Sequence, residues 1–325
     1  MNVTTIASEV NAPLSLLTYE VLRRRKVLSP SEEQRYMQLK RGFYGERMFR
    51  ELFLEQDSGN VIPLFNLLLE WIDAEFQMDA LIIAKDEIYL IEVKNFTGDH
   101  RIEKRIIISM ETKKEYIEPI YQLERSAYLL RQLLKSLRID LEVRPYLVFI
   151  NESFMMYEAN PQLPIIFRPQ LERFLQKVCI NAPPITSWHQ SVAEKLKQLH
   201  KERSHYERLP KYERGKLASG VYCYHCTAPL KRKSLHKYEC TNCAIALLNK
   251  EVFLHAAAEY FVLFPDEKLT PLTLKRWTDK TVSRQTIANV LRDGLIYHPN
   301  GKYSNYTFPS LSVASEVLTR NYFLE

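Results

Sequence analysis

The sequence predicts an α/β or α+β fold in its first half, with a β-sheet covered by helices, and smaller separate modules in its second half. Two Ile- and Val-rich runs, residues 78–84 and 88–94, flank a short polar turn as in a β-hairpin. An amphipathic helix pattern at 117–138 precedes another apolar strand at 144–151. These strands are too apolar for a face in water, so helices should cover the sheet. Two Cys-x-x-Cys pairs lie only in the second half.

Composition and length limit the class of protein and the number of domains. The chain has 325 residues, of which 46% are hydrophobic and 26% charged, and this excludes wholesale disorder. At roughly 100–200 residues per domain, two or three domains are expected. No apolar run approaches the roughly 20 residues of a membrane helix, and the first residues do not resemble a signal peptide. These features predict a cytoplasmic protein without a membrane partner.

Charge is divided unevenly along the chain. Residues 195–325 contain 21 Lys and Arg against 12 Asp and Glu, a net charge of +9, and the first 194 residues carry −3. A basic part attached to a nearly neutral one is typical of a polyanion-binding module that serves another module. Solubility alone is the alternative explanation.

The N-terminal segment, residues 1–40, reads as helical and polar. Its basic run from Arg23 to Lys26 predicts a solvated helix face or a phosphate contact. The core of the first domain should begin with a helix near residue 42, in which an apolar stripe includes Phe49 and Phe53. Residues 61–69 are apolar and predict a first strand and its turn.

Three charged residues lie on the strands of the predicted hairpin, outside its polar turn. Glu92 and Lys94 alternate with apolar residues at the end of the second strand and should share one face. A short turn would place Asp79 opposite Lys94, and a turn longer by one residue would place it opposite Val93. Two carboxylates and one ammonium should therefore converge at the rim of an apolar sheet.

Such buried charges must pair or bind a cation. Carboxylates suit Mg²⁺ or Mn²⁺, which can polarise a phosphoryl oxygen, and a neighbouring lysine can stabilise charge on phosphate. Glu46 on the preceding helix could add a carboxylate, and Gln122 on the following helix could position water or phosphate. The alternative is a salt-bridged strand end with no catalytic role.

An ordered set of residues resembles the nuclease-related (NERD) domain of bacteria, which is similar to the PD-(D/E)xK nucleases. The matching positions are Gly45, Glu46, Gln77, Met78, Asp79, Ile91, Glu92, Val93, Lys94, Asn95, Gly98 and Gln122. The resemblance implies a mixed sheet flanked by helices and metal-dependent hydrolysis of phosphodiesters. It implies that Asp79 and Glu92 hold the metal and that Lys94 acts on water. Glu46 and Gln122 would support them. Ala80 departs from the pattern, which usually has His or a similar polar residue there.

The second half contains Cys223, Cys226, Cys240 and Cys243 as two Cys-x-x-Cys pairs. Two such pairs can complete a tetrahedral Zn²⁺ site, and four thiolates leave no open position for substrate, so the site should be structural. Two redox pairs are the alternative, and His225 or His236 could replace one cysteine. Cys179 stands apart and should lie in the core.

The loop between the cysteine pairs is basic. Residues predicted to contact nucleic acid are Lys231, Arg232, Lys233 and Lys237. Tyr224 and Tyr238 lie nearby and predict base stacking on a rigid zinc ribbon. A solvated hairpin is the alternative.

The C-terminal residues predict three helices and a hairpin, an order that resembles a winged helix. A buried helix spans 251–264, a short helix begins near Thr270, and Ser283 caps a third that ends at Gly294. A turn at Pro299, Asn300 and Gly301 joins two strands. On this interpretation Ser283, Arg284, Gln285 and Asn289 face the major groove, and Lys302 lies in the wing. A docking domain for protein is the alternative.

The predicted function is Mg²⁺- or Mn²⁺-dependent hydrolysis of nucleic acid, most simply DNA, with one structural Zn²⁺ and C-terminal modules for substrate. The alternative is a non-catalytic DNA-binding or regulatory protein that keeps a nuclease-like fold. The C-terminal domain could also bind a protein partner or a second copy. The expected segments are an extension (1–39), a nuclease-like domain (40–155), a helical connector and basic linker (156–218), a zinc ribbon (219–248) and a winged-helix-like domain (249–325).

Overall fold

A computed structural model describes residues 12–103, 105–116, 118–180, 182–201 and 204–319. Contacts group these residues into two compact units, residues 40–207 and residues 12–39 with 208–319. The five segments expected from the sequence are finer than this division and stay predictions. Among the described helices, none combines the length and apolar character needed to cross a membrane.

The chain begins with helices α1 (Leu14–Arg25) and α2 (Pro30–Gln56). The strands that follow are β1 (Ile62–Trp71), β2 (Ala74–Ile83), β3 (Glu87–Lys94), β4 (Gly98–Glu103), β5 (Ile106–Ser109) and β6 (Glu115–Tyr116). Next come α3 (Glu118–Ser136), β7 (Glu142–Phe149), β8 (Phe154–Tyr157), β9 (Ile165–Phe167), α4 (Arg168–Leu175) and α5 (Ser187–Gln198). A π-helical turn, Gln176–Ile180, extends α4 and buries Cys179, as predicted.

The first unit is built on a five-stranded mixed sheet in the order β1-β2-β3-β7-β9. The first three strands are antiparallel, while β3, β7 and β9 are parallel. Apolar side chains of α3 and α5 pack in one core, and those of α2 and α4 pack in another. The sheet is thus covered by helices on both faces, which confirms the predicted fold class.

A second sheet of four strands, β6-β5-β4-β8, was not expected from the sequence. Its strands are short, and β4 alternates buried His100 and Ile102 with exposed Arg101 and Glu103. Ile102 packs in the same core as α3. Strands of two to six residues are too short to establish an alternating pattern, which is why sequence periodicity missed them.

The register of the β2–β3 hairpin differs from both predicted alternatives. Ile83 pairs with Ile88 across a four-residue loop closed by the bond from the Ala84 N–H to the Glu87 carbonyl, 2.9 Å. Continuing this register places Asp79 opposite Glu92 rather than opposite Lys94 or Val93. Ile83 and Ile88 share one core, and a shift by one residue would turn a whole strand face away from it.

The second unit contains a small three-stranded sheet and a helical region. The sheet consists of β10 (Leu230–Arg232), β11 (Lys237–Cys240) and β12 (Ala246–Leu248). It is followed by α6 (Asn249–Leu263), α7 (Pro271–Trp277), α8 (Arg284–Gly294), the hairpin of β13 (Ile296–His298) and β14 (Asn305–Thr307), and α9 (Leu311–Thr319). Short 3₁₀ turns occupy Arg214–Lys216 and Gly301–Tyr303.

The predicted helix starts in this region agree with the structure. The Thr270 side chain accepts a hydrogen bond from the Thr273 N–H at the start of α7. The Ser283 side chain does the same for the Thr286 N–H at the start of α8. Helix α9, Leu311–Thr319, follows the hairpin and was not expected from the sequence.

The basic run of α1 is not a solvated face, and this expectation was wrong. Arg24 and Arg25 are buried, and both form ion pairs with Glu259 of α6. The Arg25 guanidinium also lies over the Trp277 ring, 3.7 Å from its centre, and donates to the Ala218 carbonyl. The two arginines therefore bind internal groups, because α1 packs against α6.

Candidate active site and metal centre

Glu92 and Lys94 lie side by side at the end of β3. Lys94 Nζ is 2.5 Å from Glu92 Oε1, and the Glu92 side chain is almost wholly buried. The second oxygen, Glu92 Oε2, is buried and has no hydrogen-bond partner among the described residues. A buried carboxylate oxygen without a partner costs free energy, so this atom is available to ligate a cation or accept a hydrogen bond.

Asp79 on β2 joins this pair through the backbone. Its Oδ2 accepts a hydrogen bond of 2.7 Å from the N–H of Val93, between Glu92 and Lys94. Opposite Asp79 on β1, Asn66 has a φ of 52°, in the left-handed region that asparagine tolerates. Leu64 and Leu67 face the same core although three positions separate them, so strand alternation changes at Asn66. This irregularity, unnoticed in the sequence, lies directly across from Asp79.

Glu46 reaches the cluster from α2, where the preceding Gly45 allows a close approach. A Cβ on Gly45 would lie 2.7 Å from the Asn95 Cβ and 3.3 Å from Ile150 Cγ2. Only glycine therefore fits between α2 and the ends of β3 and β7 without a shift. The helix is held close enough for Glu46 to interact electrostatically with Asp79, Glu92 and Lys94.

The four charges shift one another's pKa values. Burial, followed by the negative charge of Asp79, raises the pKa of Glu92 to about 7. Burial also raises the pKa of Asp79, and burial with two carboxylate neighbours raises the pKa of Glu46 well above its usual range. Burial alone would lower the pKa of Lys94, but the surrounding carboxylates raise it instead. These raised carboxyl pKa values follow because the fully ionised cluster would carry more negative charge than one ammonium neutralises.

An amide pair beyond the strand ends fixes α2 in place. Asn95 Nδ2 donates to the Arg41 carbonyl of α2 at 3.0 Å, and Asn151 Nδ2 donates to Asn95 Oδ1 at 2.8 Å. Asn95 is therefore bonded to the helix on one side and to the segment after β7 on the other. Sequence reasoning gave Asn95 no role, although its position directly after Lys94 was the available signal.

Two positions of the motif lie apart from these contacts. Gln122, in the first turns of α3, is exposed, and its side chain makes no hydrogen bond with another described residue. Ala80, where a polar residue is usual, is fully buried in the core shared with α2. The structure therefore brings together Glu46, Asp79, Glu92 and Lys94, and it does not bring Gln122 into contact with them.

The four cysteines of the second unit meet at one point. Their sulfur atoms all lie within 4.8 Å of one another, with 3.7 Å between Cys223 and Cys243 and 3.3 Å between Cys226 and Cys240. Tetrahedral zinc–thiolate bonds of about 2.3 Å imply sulfur separations of about 3.8 Å, and a disulfide needs about 2.05 Å. The group could hold a metal ion, as the spacing predicted. His225 and His236 are not part of the group.

The basic residues between the cysteine pairs are exposed, but the aromatic prediction was wrong in part. The exposed side chains are those of Lys231, Arg232, Lys233 and Lys237. Lys233 pairs with Glu239 at 2.5 Å, and Arg232 donates to the Thr281 carbonyl at 3.4 Å. Tyr238 is completely buried against Phe253, so it cannot stack on a base.

The remaining predicted contact residues are also on the surface. Arg284 and Gln285 follow the Ser283 cap of α8, and the Gln285 amide donates to Asn289 Oδ1 at 2.9 Å. Lys302 lies in the hairpin turn, with its ammonium 5.1 Å from the centre of the Tyr303 ring. These groups are accessible from solvent.

A comparison with protein families identifies part of the first unit. Residues 41–150 match the family model described as "Nuclease-related domain" (NERD). The chain is also similar to the small subunit (R.BspD6I2) of the heterodimeric restriction endonuclease R.BspD6I, at 14% identity over 56% of this chain and 86% of that chain, with a TM-score of only 0.23. No curated protein matches the sequence. The resemblance drawn from the motif residues is confirmed, and residues 41–150 match the nuclease-related domain family.

Proposed function

We propose that the nuclease-related domain hydrolyses phosphodiester bonds of DNA with a divalent cation, Mg²⁺ or Mn²⁺. One observation carries this proposal: Glu46, Asp79 and Glu92 converge on Lys94, and Glu92 Oε2 has no partner among the described residues. A cluster of buried carboxylates with raised pKa values is typical of a functional site.

The residues present fit a hard divalent cation. Three carboxylates and one ammonium, if all ionised, carry a net charge of −2, which a divalent cation would neutralise. Such a cation prefers oxygen ligands, and the unpartnered Glu92 oxygen is one. Asp79 and Glu92 would hold the cation, and Glu46 would add a third carboxylate or accept a hydrogen bond from water.

When bound, the cation supplies Lewis-acid polarisation of the phosphodiester. Lys94 stays protonated because its carboxylate neighbours raise its pKa, so its ammonium can stabilise negative charge that develops on the phosphate. The same ammonium can orient the attacking water. Gln122 would have to approach the cluster to position water or phosphate, since it contacts none of these residues here.

For the cysteine group we propose one structural Zn²⁺. The sulfur separations match a tetrahedral site, and four protein ligands leave no open position for catalysis. Zinc would then link the turns before β10 and after β11 and stabilise a sheet of only a few residues per strand.

The second unit would bind the substrate. Residues 195–325, most of which belong to this unit, have a net charge of +9 against −3 for the first 194 residues, and the exposed basic residues of the unit include Lys231, Lys237 and Arg284. Phosphate contacts by these side chains would give binding that weakens steeply with salt. A winged-helix interpretation of α6 to β14, a protein partner, a second copy and the cytoplasmic location stay predictions.

A second candidate is a non-catalytic DNA-binding or regulatory protein that keeps the fold. Two observations favour it: Gln122 lies outside the cluster, and Ala80 replaces a polar residue. In this case the Lys94–Glu92 contact would be a structural ion pair at the strand end.

Nicking of supercoiled plasmid distinguishes a nuclease from a non-catalytic DNA-binding protein. The purified chain is incubated with Mg²⁺ or Mn²⁺, and a matched sample contains excess chelator. We expect open-circular product only with the cation. Absence of nicking by metal-loaded, folded protein, together with DNA binding, would favour the non-catalytic alternative.

A further inference from the structure

The hairpin of β13 and β14 presents an aromatic side chain outward. Tyr303, at the end of the 3₁₀ turn Gly301–Tyr303, is 56% exposed. Tyrosine is usually more buried than this, because its ring removes a large apolar area from water. The side chain is therefore available to a ligand.

The turn that carries Tyr303 is held by its own hydrogen bonds. The Tyr303 N–H donates to the Asn300 carbonyl at 2.9 Å, and the Asn300 N–H donates to Ser304 Oγ at 2.9 Å. Ser304 Oγ in turn donates to the Gly301 carbonyl at 2.8 Å, and Gly301 has a φ of +51° that favours glycine. The ring is thus displayed on an ordered support, which lowers the entropy cost of binding.

Two lysines flank this ring, one from outside the hairpin. The ammonium of Lys302 lies 5.1 Å from the ring centre, and that of Lys268 lies 5.7 Å from it. The Tyr306 N–H bonds to the Leu269 carbonyl at 2.9 Å, and this bridge brings the residue before Leu269 to the hairpin. Neither ammonium forms a salt bridge with any residue that the structure describes, so both charges remain for an external anion.

The nearest acid on the same segment is already neutralised. Glu267, which precedes Lys268, pairs with Arg214 and accepts a hydrogen bond from Tyr260 at 2.5 Å. The surface therefore combines one flat aromatic face with two available cations. This combination fits a nucleotide whose base stacks on the ring while its phosphates meet the ammonium groups.

We propose that Tyr303, Lys268 and Lys302 form a platform that binds an unpaired nucleobase of single-stranded nucleic acid. A base within a duplex has both faces covered by its neighbours, so only an unpaired base can lie on the ring. The inference deepens the proposed function, on which it rests for nucleic acid as the ligand, and it makes substrates with single-stranded regions the preferred class. The lysine side chains are flexible and would move from the ring to the phosphates.

The test measures binding by the zinc-loaded full chain without added Mg²⁺ or Mn²⁺, so that no cleavage interferes. Fluorescence anisotropy follows a dye-labelled polythymidine strand, the same strand with abasic sites, and a blunt duplex. We expect Tyr303→Ala to weaken binding of polythymidine roughly tenfold. Tyr303→Phe should retain it, and the duplex affinity should change little. Tyr206→Ala, at a tyrosine that is 72% exposed elsewhere in the chain, is the matched control and should have no effect.

The abasic strand identifies stacking directly. Wild type should bind it more weakly than polythymidine, and Tyr303→Ala should bind both alike. Lys268→Ala combined with Lys302→Ala should reduce the slope of log affinity against log salt by about 1.4 for single strands. Equal losses on single strand and duplex, or no loss with Tyr303→Ala in a folded variant, would overturn the platform. Because no catalysis is measured, the platform can hold when plasmid nicking fails, and nicking can persist when the platform fails.

Discussion

Gly45 and Asn95 meet so closely that a Cβ on the glycine would lie 2.7 Å from the asparagine Cβ. The helix that carries Glu46 and the strand that carries Glu92 approach each other at this contact. A second glycine in the same helix, Gly42, has nothing within 4 Å of the equivalent position. Substitutions at Gly42 and Gly45 can therefore be compared to test whether the close approach at Gly45 affects stability.

We expect opposite effects from the two alanine substitutions. Gly42→Ala should stabilise the protein by up to about 1 kcal/mol, because alanine is the better helix former. Gly45→Ala should instead destabilise it by about 1–3 kcal/mol, since the methyl group must push α2 away from Asn95. Urea unfolding of both variants gives the two values, and plasmid nicking should fall only in Gly45→Ala. Equal stabilisation by both would show that the contact is not tight.

Cation binding can be examined without turnover. Titration calorimetry with Mn²⁺, on protein free of DNA and already loaded with zinc, should detect one site in wild type. Glu92→Gln or Asp79→Asn should weaken it at least tenfold, because each removes a charged oxygen ligand. Glu87→Gln, at the other end of β3, is the control and should bind as wild type does. Unchanged Mn²⁺ affinity in Glu92→Gln would remove that residue from the site.

Glu75 makes the first unit sensitive to acid. Ser204 Oγ donates to it at 2.5 Å, and this bond, with Lys201 and the His205 N–H, lowers the pKa of Glu75 to about 2. A carboxyl whose folded pKa lies below its unfolded value stabilises the fold above the unfolded pKa. This contribution is lost as pH falls from about 4.5 toward 2.

Thermal unfolding of Glu75→Gln tests the direction of this pH dependence of stability. Its Tm should lie below that of wild type at pH 7, and the difference should shrink as pH falls through this range. Glu70→Gln removes a more exposed partner of the same Lys201, so its Tm should hardly change. A Tm deficit in Glu75→Gln that grows toward low pH would contradict the assignment.

The sheet and the charge cluster could be predicted because their signals are local. The apolar runs around Asp79 and Glu92 identify strands, and their alternation places Glu92 beside Lys94. The register of the β2–β3 hairpin could not be predicted, because it depends on the core in which Ile83 and Ile88 pack. The Asn66 irregularity and the Asn95 bonds to Arg41 depend on contacts between distant segments, which no periodicity reports.

The burial of Arg24 and Arg25 also depends on a contact between distant segments. A run of basic residues in a polar helix predicts a solvated face unless the partner acid is known, and Glu259 lies 234 residues beyond Arg25. Sequence also placed Tyr238 on the surface, although its ring fills the space against Phe253.

The buried ion pair predicts a large effect for one arginine and a small one for its neighbour. Arg25→Ala removes the closer of the two arginines that pair with the buried Glu259, leaving the contact of 3.4 Å from Arg24, and should destabilise the protein by about 3 kcal/mol. Arg23 pairs with Glu33 at a partly exposed position, so Arg23→Ala should cost at most about 1 kcal/mol. Denaturant unfolding of the two variants decides, and comparable small losses would mean that the ion pair is not buried in solution.

The cysteine group should contain zinc. We expect about one zinc per chain in protein purified under reducing conditions. Cys226→Ser or Cys240→Ser should lose the metal and destabilise the second unit, because ligand binding and local folding are coupled. Cys179→Ser lies outside the group and should keep the metal. Metal analysis that finds no zinc in fresh, reduced protein would contradict the site.

The most direct test of cation-dependent hydrolysis at this site compares the initial rates of plasmid nicking by wild type and by Glu92→Gln at matched Mg²⁺ concentrations. Both proteins are first shown to be folded and to bind DNA equally. We expect nicking by wild type that chelator abolishes, and a rate lower by roughly 100-fold or more in Glu92→Gln, because the variant loses a charged ligand of the cation that polarises the phosphate. Nicking by Glu92→Gln at the wild-type rate would contradict this expectation.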